Sequence, residues 1–407
     1  MIKFIKNTFI IFFILIIFTS KGFSQKSIII FKTDYSNSYM NYAIYDLMIK
    51  NIFLYSNLKI INSHSNYSSY NKIKSQIKKL TINNNANISI AYQIQNFKNG
   101  ILINYIIFDN EKPNEWIEKS VYSKEEDLFI SINKILKDIY EISKIKNKIT
   151  YIKEKDYISL LGYYSQKIIL TNEDNIYKLF YDFHKDNIYF NIDYLEYLTD
   201  KSDRTSVDII NDLINNMQNY INKKKNHYYL YSLGCMHYGK YKVNVILSDI
   251  EASIENYNKA LKLKNNYYKY YYRLANAYIL KNDYDNAIKY YEEAIKLNEY
   301  DINIIKEFVS LLKRDINKNG NEVISYLKKI IEINKNDEEA LEEISKLYEK
   351  IGDYDNALIY YNKLFEVINY NLYIINNETK DADAYDRYIF KRNSIKLNIE
   401  SLKNKIF

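Results

Sequence analysis

Apolar residues recur at helical spacing on both sides of a short polar turn, Lys281–Asp283, within Tyr268–Asp301. This spacing predicts two amphipathic helices, and small residues stand where these helices would touch. The phrase Asp283–Ala287 returns as Asp353–Ala357. The interval equals two helical hairpins of about 34 residues each plus a small insertion. The pattern therefore predicts stacked helical hairpins, in other words a solenoid that binds something.

Between residues 25 and 148 the pattern changes, and short apolar runs alternate with amphipathic stretches. Strand character is found in Ser27–Phe31, Leu58–Ile61, Asn87–Ile94, Ile101–Phe108 and Trp116–Tyr122. Helical spacing is found in Tyr39–Tyr55, Tyr70–Ile82 and Glu125–Ser143. The order β-α-β-α-β-β-β-α predicts a compact α/β domain with a small mixed sheet.

This domain resembles the TolB amino-terminal-like domain over about Lys26–Ile142. The resemblance rests on the element order and on the strands just named, although Asn83–Asn85 stands where that family has a glycine before the third strand. It implies a unit for interaction or assembly with no catalytic role. The β-propeller that follows this domain in TolB is not found in this chain, so TolB's partners are not carried over.

Residues 149–226 continue with helical stretches whose repeat pattern is weak. The stretches are Asp156–Ile169, Asp174–Phe183, Ile188–Leu198 and Ser206–Ile221. Together they predict two irregular helical hairpins.

From His227 onward the packing positions become regular. Unit 268–301 has a leucine, a small residue and an aromatic in its first helix, then an alanine, an aromatic and an alanine in its second: Leu274, Ala275, Tyr278, Ala287, Tyr291 and Ala294. The corresponding residues are Ile344, Ser345, Tyr348, Ala357, Tyr361 and Leu364 in unit 338–371, and Leu233, Gly234, His237, Ser253, Tyr257 and Ala260 in unit 227–267. Unit 302–337 is the most degenerate and keeps Phe308, Val309, Leu312, Leu327 and Ile330.

This pattern resembles the tetratricopeptide repeat, in which hairpins must stack to bury their apolar faces. Repeat 227–267 is predicted to have a longer turn, Gly239–Ser248, between its two helices. Residues 372–407 follow the four units, and their Lys- and Arg-rich helix, Ala382–Ile406, is predicted to cap the stack with a polar outer face. The predicted fold class is α+β: a small mixed-sheet α/β domain followed by an all-α solenoid of tetratricopeptide-like hairpins over 227–371.

In the tetratricopeptide family the first helices line a concave groove. The resemblance places on this groove Tyr231, Tyr238, Lys269, Tyr272, Asn276, Lys306, Lys313, Arg314 and Lys346, together with Glu339 and Glu342. The functional interpretation is a site for an extended or helical peptide, held by the basic group Lys306, Lys313 and Arg314 and by nearby tyrosines. The alternative is an ordinary solvated face in a chain rich in tyrosine and lysine.

The first residues carry the signs of an export signal. Two lysines precede an unbroken apolar run, Phe9–Phe18, and the small residues Gly22 and Ser24 fit a cleavage after Ser24. The run is shorter than the roughly 20 apolar residues of a membrane span. Residues 1–24 are therefore predicted to be a signal peptide, with the rest exported to the periplasm or secreted and without an integral membrane span. An uncleaved anchor is the alternative.

The net charge and the absence of known catalytic and metal-binding motifs in the sequence exclude several classes of function. The 57 Lys and Arg residues exceed the 50 acidic residues by too little to predict nucleic-acid binding. Cys235 is the only cysteine, so no internal disulfide forms, and it is interpreted as a small core residue. The four histidines are scattered, and no phosphate-binding loop, nucleophile elbow or metal-ligand spacing is found. No cofactor, metal or catalytic activity is expected.

The favoured function is an exported, non-catalytic scaffold of the cell envelope that binds a partner protein or peptide. One alternative is a binding module for an envelope glycan or cell wall, acting through tyrosine-rich surfaces. A second alternative is an enzyme with dispersed acidic residues in the first domain. The partner and the oligomeric state stay open.

Overall fold

The computed structural model describes residues 26–31, 39–56, 58–61, 70–97, 100–114, 116–124, 127–144, 152, 177, 180–181, 187–217, 226–379 and 381–406. The predicted signal peptide and the predicted helix Asp156–Ile169 lie outside these residues, as does most of Asp174–Phe183. Within the described part, no helix is both long and apolar enough to cross a bilayer. The chain forms two compact units, 1–270 and 271–407. Its fold is α+β, with a small mixed sheet and a helical-hairpin solenoid, which confirms the predicted class.

The first unit begins with a five-stranded mixed sheet. Its strands are β1 (Ser27–Phe31), β2 (Lys59–Ile61), β3 (Ile88–Phe97), β4 (Gly100–Asp109) and β5 (Trp116–Ser123). Its helices are α1 (Tyr39–Tyr55), α2 (Tyr70–Asn83) and α3 (Leu128–Ile142). The strand order is β2-β1-β3-β4-β5, with β1 parallel to β2 and β3, and with β3, β4 and β5 antiparallel. The predicted order of elements is confirmed.

The continuous apolar run of β1 follows from its central position in the sheet, where both faces are covered. On one face α2 packs against the sheet through Ile73 and Ile77, in a cluster that also holds Phe31. On the other face Tyr105 of β4 donates a hydrogen bond of 2.5 Å to Asp138 of α3. Burial, followed by this hydrogen bond, raises the pKa of Tyr105 above its ordinary value. The domain therefore has helices on both faces of its sheet.

Four helices complete the described part of the first unit. They are α4 (Ile188–Lys201), α5 (Arg204–Met217), α6 (His227–Asn244) and α7 (Leu247–Leu263). The side chains of Asn187 and Asn226 accept hydrogen bonds from the first backbone N–H groups of α4 and α6. Such side-chain caps satisfy donors that the helix itself leaves unpaired.

The predicted long turn at Gly239–Ser248 is wrong. Helix α6 continues to Asn244, and the turn consists of Val245 and Ile246. Gly239 does not mark a turn: a Cβ atom there would lie 2.9 Å from Val207 of α5. The glycine therefore allows two helices to approach closely.

The repeat helices from residue 268 onward are α8 (Tyr268–Leu280), α9 (Tyr284–Leu297), α10 (Ile302–Leu312), α11 (Ile316–Ile333), α12 (Glu338–Lys350) and α13 (Tyr354–Ile374). The last helix is α14 (Ala382–Ile406), with the bounds that the sequence predicts. A 3-10 turn, Lys313–Asp315, joins α10 to α11. Units 268–301, 302–337 and 338–371 are therefore all helical hairpins.

The repeated phrase at Asp283 and Asp353 has a local explanation. Each aspartate caps the second helix of its hairpin, and the capped residue is Asn286 or Asn356. The same asparagine donates from its side-chain amide to the other carboxylate oxygen, at 2.8 Å in both hairpins. The repeat thus preserves a two-bond cap.

Aromatic and small residues fill the hairpins as predicted. Tyr278 stacks on Tyr290 at 5.4 Å, and Tyr348 stacks on Tyr360 at 5.8 Å. Ala287, at the close-contact position, is completely buried. These contacts confirm the packing interpretation of the two clearest units.

Helix α14 packs through Ile395, Ile399 and Leu402, which are buried. Its outer face carries Phe390, 78% exposed, and Leu397, 66% exposed. The predicted polar outer face is therefore wrong at these two positions.

Candidate functional site

The first helix of unit 227–267 does not offer the predicted groove surface. Tyr231 is 0% exposed and Tyr238 is 8% exposed, so the prediction that they face a groove is corrected. Tyr231 donates a 2.5 Å hydrogen bond to Glu196 of α4, and Tyr228 donates to the backbone oxygen of Asn191 on the same helix. Helix α4 therefore covers this side of α6.

A second contact within the first unit involves α1. Phe53 lies among four aromatic rings, with centroid distances of 5.2 Å to His227, 6.0 Å to Tyr228, 4.2 Å to Tyr267 and 6.2 Å to Tyr270. Aromatic pairs at such distances add to the free energy of burial. The start of α6 is thus occupied by the α/β domain of the same unit.

Lys264 fixes this contact from the end of α7. Its ammonium group donates to the backbone oxygens of Phe53 and Ser56 at 2.6 and 2.9 Å. It also lies 5.0 Å from the centre of the Phe53 ring. Burial lowers the pKa of Lys264 to about 7, while burial and the charge of Lys264 lower the pKa of His227 to about 3. The first unit therefore holds an uncharged histidine beside a buried amine.

Lys269 belongs to the first unit, where its ammonium group lies 3.6 Å from a carboxylate oxygen of Glu196. Of the predicted groove residues, Tyr231 and Tyr238 are therefore buried in this unit, and Lys269 has an ionic partner there. The surface that remains accessible to a binding partner therefore contains fewer residues than the sequence predicted.

In the second unit, the predicted residues of α8 belong to a polar cluster. Tyr272 donates a 2.9 Å hydrogen bond to Glu307 of α10. Tyr291 of α9 donates to Asn276 at 2.5 Å and to Glu307 at 3.0 Å. The structure thus brings Tyr272 and Asn276 together around Glu307, a carboxylate that the sequence interpretation did not include.

The predicted basic group is paired with carboxylates. Lys306 lies 3.1 Å from Asp337 and 2.7 Å from Glu339. Lys313 lies 2.6 Å from Glu343. The positive patch that the sequence predicted is therefore a row of ion pairs between α10 and α12.

The two remaining predicted cations have local partners. Arg314 donates to the hydroxyl of Tyr284 at 2.8 Å, and its guanidinium lies 4.2 Å from the centre of that ring. Lys346 lies 2.5 Å from Glu342, one helical turn earlier on α12. An exposed ion pair contributes only about 0–1 kcal/mol, so a partner's charges can replace these contacts at small cost.

Sequence reasoning missed that the row of ion pairs continues into α14. Lys391 lies 2.7 Å from Glu338 and 3.5 Å from Glu342, and Lys405 lies 3.0 Å from Glu349. The available signal was charge spacing: α12 has five glutamates, whereas α14 is rich in lysine and arginine. We call the pairs that connect α10, α12 and α14 the ion-pair ladder.

The second unit also contains a cavity of about 410 Å³. It is lined by Lys313, Ile316, Val323, Leu327, Glu343, Lys346, Leu347 and Lys350. Two predicted site residues, Lys313 and Lys346, therefore lie on its rim. Over the residues that the structure describes, no group of histidine, cysteine and acidic side chains could hold a metal ion.

Comparison with known proteins identifies the repeats. Residues 268–301 and 338–371 each match a tetratricopeptide repeat family model. No curated protein sequence matches the chain. Similar solved structures include MamA, with 22% identity over 40% of this chain and 91% of MamA and a TM-score of 0.32. YrrB, a TPR protein with an unusual peptide-binding site, shares 15% identity over 47% of this chain and 91% of its own, with a TM-score of 0.29.

The TM-scores of these structures are too low to support any conclusion about this chain, so the repeat assignment rests on the family models alone. The two family matches coincide with the second and fourth of the four repeats that the sequence predicts. The chain contains tetratricopeptide repeats at residues 268–301 and 338–371.

Proposed function

We propose that this chain is an exported, non-catalytic interaction scaffold of the cell envelope. It binds a partner protein or peptide through the ion-pair ladder and the polar cluster around Glu307 of the second unit. The observation that carries this proposal is the charge arrangement on the first helices of the repeats. There, partly exposed cations of α10 and of the turn that follows it pair with carboxylates at α12 and can exchange their partners.

The physical basis is the small cost of opening each rung of the ladder. Lys313 and Glu343 are both partly exposed, with side-chain exposures of 42% and 32%. When a partner supplies a carboxylate to Lys313 and a hydrogen-bond donor to Glu343, the new contacts replace the interaction energy lost by opening the Lys313–Glu343 pair. Several such exchanges across a surface give specificity through charge complementarity.

The proposed site differs from the sequence-predicted one at its first end. It keeps Tyr272, Asn276, Lys306, Lys313, Arg314, Glu339, Glu342 and Lys346, and it adds Glu307 and Glu343. It leaves out Tyr231 and Tyr238 because they are buried.

Export and assembly belong to the same proposal. The apolar run and the small residues of 1–24 support cleavage of a leader, after which the chain acts in the periplasm or outside the cell. The TolB-like element order supports a non-catalytic assembly role for the α/β domain. An intact mass of the envelope-associated protein that still includes Met1–Ser24 would contradict cleavage.

The test is affinity capture from an envelope extract with the mature chain and two variants. The first variant, Lys306→Glu with Lys313→Glu, removes two rungs of the ladder. The second adds Glu339→Lys and Glu343→Lys, which restores the 306–339 and 313–343 ion pairs with their charges exchanged and leaves Asp337, the other partner of Lys306, unchanged. The second variant is the matched control, because it retains pairing within the chain while reversing the surface pattern.

We expect one partner to be retained by the natural chain and lost by both variants. Recovery in the second variant would mean that the pairs only support the fold, which contradicts recognition of the charge pattern. Capture of the same proteins by all three chains would place binding outside the ladder. Circular dichroism of each variant checks that it is folded.

A further inference from the structure

The cavity in the second unit lies where the repeat pattern fails. In the two matched repeats, Tyr278 and Tyr348 stack on Tyr290 and Tyr360. Unit 302–337 has Leu312 at the corresponding position. A leucine side chain is smaller than a tyrosine ring and offers no flat surface for stacking. In this hairpin Tyr326, at the position of Tyr290 and Tyr360, contacts Phe308 edge-to-face instead, at a centroid distance of 5.0 Å.

A second position of unit 302–337 also departs from the repeat pattern, and its residue lines the cavity. Tyr291 and Tyr361 are buried in their hairpins, and their hydroxyls bond to carboxylate or amide oxygens. Leu327 takes this position in unit 302–337 and lines the cavity. The cavity opens to solvent and has a volume of about 410 Å³.

The wall of the cavity is apolar. Val323 and Leu327 of α11 are almost completely buried, and Ile316 and Leu347 are half-buried beside them. The volume falls within the range of about 300–1,000 Å³ that is usual for ligand pockets. The space is therefore large enough for one large apolar side chain with its neighbouring backbone.

The rim of the cavity is mostly positive. Lys313, Lys346 and Lys350 line it, whereas Glu343 is its one acidic lining residue. Lys313 is paired with Glu343. Lys350 is exposed, and its side chain makes no ion pair or hydrogen bond with the residues that the structure describes. The charge that remains to be balanced is therefore positive and lies at the Lys350 end.

We infer that this cavity holds an apolar side chain of an acidic peptide segment whose neighbouring carboxylates contact Lys346 and Lys350. The inference rests on the proposed function and specifies the partner's chemistry. Because Lys346 and Lys350 are one helical turn apart, their Cβ atoms are separated by about 5–6 Å. Carboxylates two residues apart on an extended peptide have a similar separation, about 6.6 Å. Charge spacing and cavity volume thus favour the same ligand, an extended segment with a leucine or phenylalanine near two acidic residues.

The test uses the full chain and three pools of fluorescent twelve-residue peptides. The first pool has leucine or phenylalanine with glutamates two and four residues before it, so that all three side chains lie on one face of an extended peptide. The second replaces these glutamates with glutamine, and the third replaces the apolar residue with alanine. Anisotropy titrations give the Kd of each pool for the natural chain and for three variants.

The first variant, Lys350→Glu, reverses the unpaired rim charge. The second, Ile316→Gln, makes the wall polar. The third, Lys335→Glu, is the matched control, because Lys335 is an exposed lysine on a turn outside the cavity lining. Circular dichroism confirms that the variants are folded.

We expect the first pool to bind most tightly. Lys350→Glu should weaken its binding by about tenfold or more, equivalent to loss of one charge-assisted contact. Ile316→Gln should reduce the preference for the first pool over the alanine pool, and Lys335→Glu should leave both unchanged.

Equal binding of the glutamate and glutamine pools would overturn the inference, as would binding that is insensitive to Lys350→Glu. In both cases the proposed scaffold function would stand. If no pool binds but envelope capture still depends on the ladder, only the cavity inference fails. If no pool binds and capture does not depend on the ladder, the proposed function fails as well.

Discussion

In unit 227–267, one side of α6 is covered by α4 and by Phe53, whereas α10 and α12 of the second unit present charged side chains. Tyr231 and Tyr272 illustrate the difference, since the resemblance to the repeat family places both on a groove. Tyr231 is 0% exposed and bonded to Glu196, while Tyr272 is partly exposed and bonded to Glu307. The packing positions of a repeat determine the hairpin, but the neighbouring elements determine which face remains available to a partner.

The side of the first helix that would line a groove also has a different physical role in the two units. In the first unit the face contributes apolar and aromatic burial, which is the main source of stability. In the second unit the face carries exposed ion pairs, which contribute little to stability. Substitutions should therefore affect folding in the first case and binding in the second.

The largest expected effect comes from removing Phe53. Phe53→Ala deletes a buried ring and should cost about 3–5 kcal/mol in the free energy of unfolding of the first unit. Trp116 is the sole tryptophan and lies on β5, so its fluorescence in a urea titration reports on this unit. Phe390→Ala is the control, since Phe390 is 78% exposed. Equal midpoints for the two variants would contradict the aromatic contact.

Acid should weaken the first unit through His227. Its pKa is about 3 in the folded chain and 6.5 ordinarily, so unfolding takes up a proton between these values. The contribution of His227 to stability is present above pH 6.5 and is lost as the pH falls toward 3. It should amount to about 3 kcal/mol between pH 6.5 and pH 4. Urea titrations across this range should show a shallower pH dependence for His227→Gln, and identical slopes would rule out a neutral buried histidine.

Overpacking should disturb the second unit by a smaller amount. Ala287 is completely buried at a close helix contact. Ala287→Trp should therefore cost about 1–3 kcal/mol and lower the melting temperature of the second unit. Far-ultraviolet circular dichroism should show this change while the Trp116 transition stays in place. The introduced tryptophan adds its own fluorescence, so Ala287→Phe serves as the variant for the fluorescence experiment. An unchanged melt would count against the packing of this repeat.

Loss of a helix cap should have a moderate effect. Asp353→Ala removes both hydrogen bonds to Asn356 and should cost about 1 kcal/mol, measured as a shift in the urea midpoint. Asp355→Ala, at the first turn of the same helix, is the control because it leaves this cap intact. If both variants shift equally, helix-dipole charge rather than capping explains the repeated phrase.

The smallest effect should come from the ladder. Lys313→Gln breaks the pair with Glu343 and should change the free energy of unfolding by less than about 1 kcal/mol. A larger loss would mean that the ladder supports the fold. In that case its rungs would not open for a partner.

The sequence predicted the features that depend on neighbouring residues, namely helices, helix caps and the order of the strands along the chain. Helices Tyr39–Tyr55 and Ala382–Ile406 have the bounds that the sequence predicts. The capping aspartates were visible as a repeated phrase before their hydrogen bonds were known. The order of the five strands along the chain followed from runs of β-branched residues bounded by polar turns.

Contacts between distant residues were the part that the sequence did not predict. The burial of Tyr231 depends on Glu196, which lies in a region with a weak repeat pattern. The neutralisation of Lys306 depends on Glu339 in the following repeat, and equal helical positions alone do not specify which charges will meet. The cavity was also missed, because the degenerate pattern of unit 302–337 gives no direct measure of the space beside Leu327.

The most direct measurement is lysine labelling followed by mass spectrometry, with and without the captured partner. Lys306, Lys313, Lys346 and Lys350 lie on the proposed surface, whereas Lys242 and Lys262 lie on α6 and α7. We predict that the partner protects the first group from labelling and leaves the second group as reactive as before. Protection of Lys242 and Lys262, with no change at Lys306 and Lys346, would contradict the assignment of partner binding to the second unit.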